Sequence, residues 1–521
     1  MQKVKAVHPF LFAIYPVLFL YSYNIYQVSF NSIILPSLFL LAGTVILFLA
    51  SSLIIRNANK AAILVSLLIL MFMSYGRIFN NVWWWQIGSV NIGKPRYLFL
   101  AGGIVFIIIS FLVIRTRKNM AKFTKFLNMV SVLLAAFSVI NITIFKLKHL
   151  EKVNLAKLTD ETLQTTQNVN DTKSLPNIFY IILDGYARAD VLKEMYHYDN
   201  SEFLDYLNQK GFYVAENSHS NYCQTTLSLT SSLNLKYLDD ITNQLGVDNY
   251  SRGPLRKVFK YNLLFYFLKE NGYKIISFSS GYSFTELQNV DIYKYDRFIT
   301  DEFLIELINT TPIPHISNEI KSVNEFNWHR DRILYTFDNI CKLPQKKQPC
   351  LVFAHIISPH PPFIFKANGR ERKQNRQFSF KDGTHFLKFK GATQQEYVNN
   401  YIGQLQFINT RVKLTIDSLL QSSPDNPPVI ILQADHGPGS HLDWESKENS
   451  NVKERLTILN AYYLPDNGDS LLYKSITPVN TFRVILNHYF GTKLELLKDE
   501  SYYSTWTRPY DYKKIDPESF K

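Results

Sequence analysis

The first 150 residues contain no Asp or Glu, 14 Lys or Arg, and five apolar stretches that reach or approach membrane-crossing length. A hydrocarbon layer of about 30 Å takes roughly 20 apolar residues of helix. Lipid leaves no partner for a bare peptide group, so the start of the chain reads as a bundle of membrane helices. The stretches lie near 9–28, 34–55, 61–76, 97–114 and 126–145. The third is short and runs into MSYGRIF, which fits a full span or a tilted, re-entrant element. Five spans place the two ends on opposite sides.

Basic residues gather in cytoplasmic loops. The first, third and fifth polar segments hold Lys3, Lys5, Arg56, Lys60, Arg115, Arg117, Lys118, Lys122 and Lys125, whereas the two alternate loops hold Arg77, Lys94 and Arg96. This predicts a cytoplasmic amino terminus and places everything after about residue 146 outside the cytoplasm. Trp83, Trp84 and Trp85 fall in an outer loop and fit an interfacial belt. No small-residue cleavage pattern follows the first span, which therefore reads as an uncleaved anchor.

The net charge of +13 invites a nucleic-acid reading, but the first 150 residues contribute +14 and the remaining 371 about −1. The basic excess belongs to the membrane module, and no basic cluster interleaved with aromatics appears later, which argues against nucleic acid as a partner. Cys223, Cys341 and Cys350 show no metal-finger spacing. Outside the cytoplasm a Cys341–Cys350 disulfide and free thiols are both open.

Residues 1–146 thus read as a five-helix membrane module, 147–174 as a polar connector with room for a short helix, and 175–521 as an extracytoplasmic domain. In that domain strand-like runs at 178–183, 273–278, 351–357, 429–433 and 460–464 alternate with helical stretches, predicting an α/β fold with a mainly parallel sheet covered by helices. Ser201 starts one helix and Gly211 ends it; 254–270 reads as another; 396–420 shows one apolar stripe at helical spacing.

Ligands of such sheets bind beyond the strand ends. Asp184 follows the apolar run of YIILDGY, and Asp435 with His436 follows that of VIILQADHG. A strand-terminal Asp can cap a turn, and a DHG can be an incidental turn, but together they supply oxygen and nitrogen ligands suited to Zn²⁺ or Mn²⁺. In NYCQTTLSLTSSLN, Thr225, Thr226 or Ser228 can cap a helix, or place a hydroxyl where the helix dipole favours a phosphate. In HIISPHPPF, His360 sits in a proline-held loop and can meet a phosphoryl oxygen, protonate a leaving group or bind a second metal; His355 reads as a partly buried strand residue.

Taken together, IILDG, a Thr before a helix, HxxxxHxPF and ADHG resemble the sulfatase-like branch of the alkaline phosphatase superfamily. With five spans in front, the layout resembles lipoteichoic acid synthases and lipid A phosphoethanolamine transferases. The resemblance implies a metal held by Asp184, Thr225, Asp435 and His436, with Thr225, three residues before Ser228, as nucleophile and His360 on the substrate phosphate. It implies a phospholipid donor, a cell-envelope glycan or lipid acceptor, and a divalent metal, Zn or Mn. Two departures stand out: Asp184 replaces the Glu usual in lipid transferases, and CQTTL at Cys223 lacks the Pro and Arg of the C/S-x-P-x-R sequence that true sulfatases modify. His441, soon after the DHG run, has no assigned role. The expected activity is transfer of a phospho-head-group; the alternatives are a phosphodiesterase or sulfatase-like hydrolase, and a silent relative that binds lipid and signals.

Overall fold

The structure is a computed structural model; it describes residues 5–148 and 175–520 apart from 26–27, 29, 83, 89, 297–301, 318–323, 344–347, 374–375, 377 and 390. The proposed connector falls almost wholly outside the described residues.

The chain forms two compact units. One holds five apolar helices: α1 (His8–Tyr23), α2 (Ile34–Ile55), α3 (Ala58–Val82), α4 (Pro95–Arg115) and α5 (Ala121–Lys148). Among the described residues four helices are long and apolar enough to cross a membrane, whereas α1 has 16 residues. The third stretch is no short re-entrant element: α3 continues for 25 residues, its polar end carried on as helix with the Asn81 side-chain amide donating to Arg77 O at 2.8 Å. α1 enters the bundle through Asn128 of α5, whose Oδ1 accepts from the Val7 and His8 amides at 3.0 Å. Large apolar side chains such as Phe39, Leu53, Ile107 and Phe137 remain exposed, as helices solvated by lipid require. Trp84 and Trp85 are exposed; Trp83 lies outside the described residues.

The described part of 300–327 belongs to this helical unit. Phe303 and Leu307 of the helix Glu302–Asn309 join Phe12, Val17, Tyr21, Ile69 and Met73 in one core, and the Gly76 amide donates to Thr310 O at 2.9 Å. The rings of His315 and Phe79 lie against each other, tilted by 48° with centroids 4.0 Å apart. The helical unit is therefore built from two separate stretches of chain.

The other unit is an α/β domain around a seven-stranded sheet. Its strands are β1 (Ile178–Leu183), β2 (Tyr213–Val214), β3 (Lys274–Phe278), β4 (Ile292–Lys294), β5 (Cys350–Ile356), β6 (Val429–Gln433) and β7 (Asn460–Tyr463), in the order β2-β7-β6-β1-β5-β3-β4. β1 pairs parallel with β5 and β6, and β3 parallel with β5 and β4, whereas β7 runs antiparallel to β6 and to β2. The sheet is mixed, with its antiparallel pairs confined to one edge. All residues of β1, β5 and β6 are buried, which explains their unbroken apolar runs. On one face Ile178, Tyr180 and Ile182 pack with Leu227, Leu229 and Leu233 of α6 (Thr225–Asn234) and with Phe482 and Leu486.

One local expectation changes, and one open alternative is decided. The stretch 254–270 is two helices, Gly253–Lys260 and Leu263–Glu270, because the Asn262 side chain accepts from the Phe265 amide and caps a new start. No disulfide joins Cys341 to Cys350: both thiols are free, and Cys350 sits on the strand β5, its Sγ 3.3 Å from Asn177 Oδ1. The long helix appears as α7 (Gln394–Gln421), started by Thr393 accepting from the Glu396 amide.

Candidate active site

Register brings three strand ends together. Ile182 of the central β1 lies opposite His355 of β5 and Gln433 of β6, so Asp184, two residues on, emerges level with Asp435. The Asp184 amide donates to Ile356 O and its carbonyl accepts from the His360 amide, both at 3.0 Å, tying β1 to the HIISPH loop. Gly185 turns the chain at φ 74°, a left-handed conformation that favours glycine, and its amide donates to Asp435 Oδ1 at 3.3 Å.

Thr225 is the first residue of α6, and Gln224 before it makes no side-chain cap. Its hydroxyl is not spent on capping: Oγ1 lies 3.0 Å from His436 Nε2. Thr226 is buried and Ser228 bonds Ser220 Oγ at 3.1 Å, so of the three hydroxyls only that of Thr225 meets the Asp-His pair.

Tautomers follow from the backbone. His436 Nδ1 is 2.9 Å from Gly437 O, and a carbonyl only accepts, so Nδ1 carries the proton and Nε2 offers a lone pair. That lone pair faces Asp435 Oδ2 at 3.3 Å and Asp184 Oδ1 at 3.6 Å. These two carboxylate oxygens, and His355 Nε2, are buried without a hydrogen-bond partner. Buried polar atoms left unpaired are costly, and two carboxylates with a neutral imidazole present only lone pairs to one another. Ligand atoms of Asp184, His355 and Asp435 lie within 4.8 Å of one another. The donor set fits a divalent cation.

Electrostatics agree. Burial opposes ionisation of Asp184, but the surrounding histidines, led by the charge of His360, outweigh it and hold the carboxyl below the usual range. Burial, then the positive charge of Arg455, lowers the pKa of His436 and keeps its ring neutral.

His360 Nδ1 is 2.6 Å from Pro361 O, its ring centroid is 6.1 Å from that of His436, and Nε2 is 3.7 Å from Asp382 Oδ2. Asp382 is buried and bonded by Tyr397 OH at 2.7 Å and Arg455 Nη1 at 2.8 Å. Gly439 makes room for it: a Cβ there would lie 2.6 Å from Asp382 Oδ2. Arg455 also donates to Gly437 O at 3.0 Å and, through Nε, to Cys223 O at 2.9 Å. One guanidinium thus holds the loops before Thr225 and after His436. Neither Asp382 nor Arg455 carries a motif that sequence reading could have used. His441 is half exposed beside Glu454, its Nδ1 2.9 Å from Ser440 Oγ. Cys223 is buried, with the Ser504 amide donating to its sulfur at 3.3 Å.

Behind the site His219 Nδ1 meets Ser501 Oγ at 2.7 Å, and burial, helped by the charge of Arg188, lowers its pKa to about 4. Between roughly pH 6.5 and 4 the unfolded chain takes up a proton that the folded ring refuses, so stability falls as pH drops through this window and is full above it. Denaturant unfolding at pH 7 and 4.5 should show wild type losing about 2–3 kcal/mol more than His219→Gln; equal losses would remove His219 from the acid response.

Residues 176–482 match the Sulfatase family model. No curated protein matches the chain. Among solved structures, the periplasmic domain of EptC from Escherichia coli in complex with Zn is 12% identical, with TM-score 0.42 over 67% of this chain and 94% of that one. The integral membrane lipooligosaccharide phosphoethanolamine transferase EptA from Neisseria meningitidis is 11% identical, with TM-score 0.38 over 94% and 96%. A putative sulfatase from Bacteroides thetaiotaomicron is 14% identical, with TM-score 0.38 over 64% and 74%.

Proposed function

Since the chain belongs to the sulfatase family, within the alkaline phosphatase superfamily, we propose that it is a membrane-anchored, metal-dependent transferase. It moves a phospho-head-group from a lipid donor to a cell-envelope glycan or lipid acceptor, with Thr225 as nucleophile. The observation that carries this reading is the Thr225 hydroxyl, at a helix start and 3.0 Å from His436 Nε2. A threonine cannot become the formylglycine of true sulfatases, and Cys223 is fully buried.

Asp184, Thr225, Asp435 and His436 would hold the metal. A divalent ion there would neutralise phosphoryl oxygens and lower the pKa of the Thr225 hydroxyl. Thr225 Oγ1, its proton released to bulk water, attacks phosphorus; its bond to phosphorus forms as the bond from phosphorus to the lipid oxygen breaks. The start of α6 adds its dipole to the phosphate's stabilisation. His360, fixed through Nδ1, presents Nε2 to the substrate phosphate and can protonate the departing oxygen. An acceptor hydroxyl reverses the sequence and frees Thr225.

The basic-residue asymmetry of the helix loops puts this domain outside the cytoplasm, where tethering keeps the site beside lipid and raises its effective concentration. The test is turnover of a labelled phospholipid by the full chain in detergent, with mass spectrometry of the products. Turnover should vanish with chelator, return with Zn²⁺ or Mn²⁺, and leave the head group on an acceptor. Free head group as the sole product would identify a hydrolase, and metal binding without turnover on any phospholipid would identify a silent relative.

A further inference from the structure

His355 makes the contacts of a ligand rather than of a packed strand residue. It is 2% exposed near the end of β5, with Nε2 3.2 Å from Asp184 Oδ2 yet in no hydrogen bond. Its other nitrogen begins a chain of buried hydroxyls: Nδ1 lies 2.9 Å from Thr285 Oγ1, which lies 2.8 Å from Ser280 Oγ. Ser280 in turn has Tyr282 O at 3.4 Å and Glu286 Oε1 at 3.5 Å. Glu286 is buried and fully engaged, accepting from Ser279 Oγ at 2.9 Å, from the Gly281 amide and from Tyr293 OH.

One direction of this chain gives every hydrogen an acceptor and leaves Nε2 bare, as the unpartnered Nε2 requires. In it the Ser280 hydrogen goes to the Tyr282 carbonyl or the Glu286 carboxylate, and the Ser280 oxygen accepts from Thr285. Thr285 has then used its hydrogen and must accept, which puts the proton of His355 on Nδ1. Nε2 is left as a lone pair facing the carboxylate of Asp184, an arrangement that calls for a cation between them.

We propose that His355 is a further ligand of the ion held by Asp184, Thr225, Asp435 and His436, and that Thr285, Ser280 and Glu286 are positioning residues that hold its Nε2 toward that ion. The inference rests on the metal reading above. A hydrogen-bonded Nδ1 fixes the tautomer and raises the basicity of a ligating imidazole, and loss of such a partner lowers metal affinity by about 10–100-fold. Thr285 is 70 residues from His355 in sequence, so nothing local could have shown the pairing.

The experiment uses the metal-free full chain in detergent with Co²⁺ as probe, reading affinity by competition with a chelating dye and ligand field by the visible absorption of the bound ion. His355→Ala should weaken Co²⁺ binding by at least about 10–100-fold and change the absorption band. Thr285→Val should weaken it by about 10-fold, and Thr285→Ser, which keeps the hydroxyl, should restore it. Thermal unfolding of each metal-free variant separates this from a folding defect. Wild-type affinity and band in both His355→Ala and Thr285→Val, while Asp435→Asn has lost binding, would overturn the assignment of His355 and leave the metal reading standing. A wild type that binds no Co²⁺ would overturn both.

Discussion

Thr225→Ala is expected to lower turnover of the labelled phospholipid by about 10⁴-fold or more, the scale on which removal of an attacking side chain is felt. The loss should fall on the chemical step, since the rest of the cluster and the start of α6 remain to bind phosphate. Stability should barely move. The helix start uses no cap from Thr225, the residue is only half-buried, and its hydroxyl bonds His436 alone; a lost hydrogen bond of this kind costs about 1 kcal/mol. Thr225→Ser keeps the hydroxyl and should retain measurable turnover, whereas Thr226→Ala should not touch the chemistry. Single-turnover rates and thermal unfolding check all three. A Thr225→Ala protein within about 10-fold of wild type would mean that another group attacks phosphorus.

Arg455→Ala should have the largest effect on folding. Arg455 and Asp382 are each 1% exposed, and the guanidinium also bonds Cys223 O and Gly437 O and lies 5.0 Å over the ring of Trp444. Removing it leaves the Asp382 carboxylate buried with Tyr397 OH and a distant His360, a situation that costs about 3–5 kcal/mol. Burial alone would push the Asp382 carboxyl up; the charges of His360 and Arg455 reverse this and hold it below the ordinary range. Arg455→Lys should rescue poorly, because one ammonium cannot reproduce a planar fork spread over three acceptors. Adding Asp382→Asn to Arg455→Ala should return part of the loss by removing the stranded charge. Denaturant unfolding of the catalytic domain within the full chain measures each variant, and a cost below about 1 kcal/mol for Arg455→Ala would show that the pair is solvated.

These two residues mark the limit of what the sequence disclosed. Central strands were legible because burial on both faces leaves an uninterrupted apolar run, and their ends delivered Asp184, Asp435 and His436 as one group. The same two-sided burial hid His355: all seven residues of β5 are buried, so no alternation tells which side chain turns toward a site. Asp382, Thr285 and Arg455 meet partners tens to hundreds of residues away, and only the fold pairs them. The edge strands β2 and β4, of two and three residues, are too short to leave a period. In 254–270 the apolar pattern ran on, but Asn262 offered the backbone a competing cap and split the helix.

The helix Glu302–Asn309 has a practical side. A polypeptide beginning at Leu175 would still carry Phe303 and Leu307 but would lack Phe12, Val17, Tyr21, Ile69 and Met73, the side chains they pack against. Stripped of that partner surface, the segment becomes an apolar patch of the kind that drives self-association. Trimming the membrane helices at one cut is thus a recipe for an aggregating enzyme, and a soluble version needs polar replacements at Phe303 and Leu307 as well.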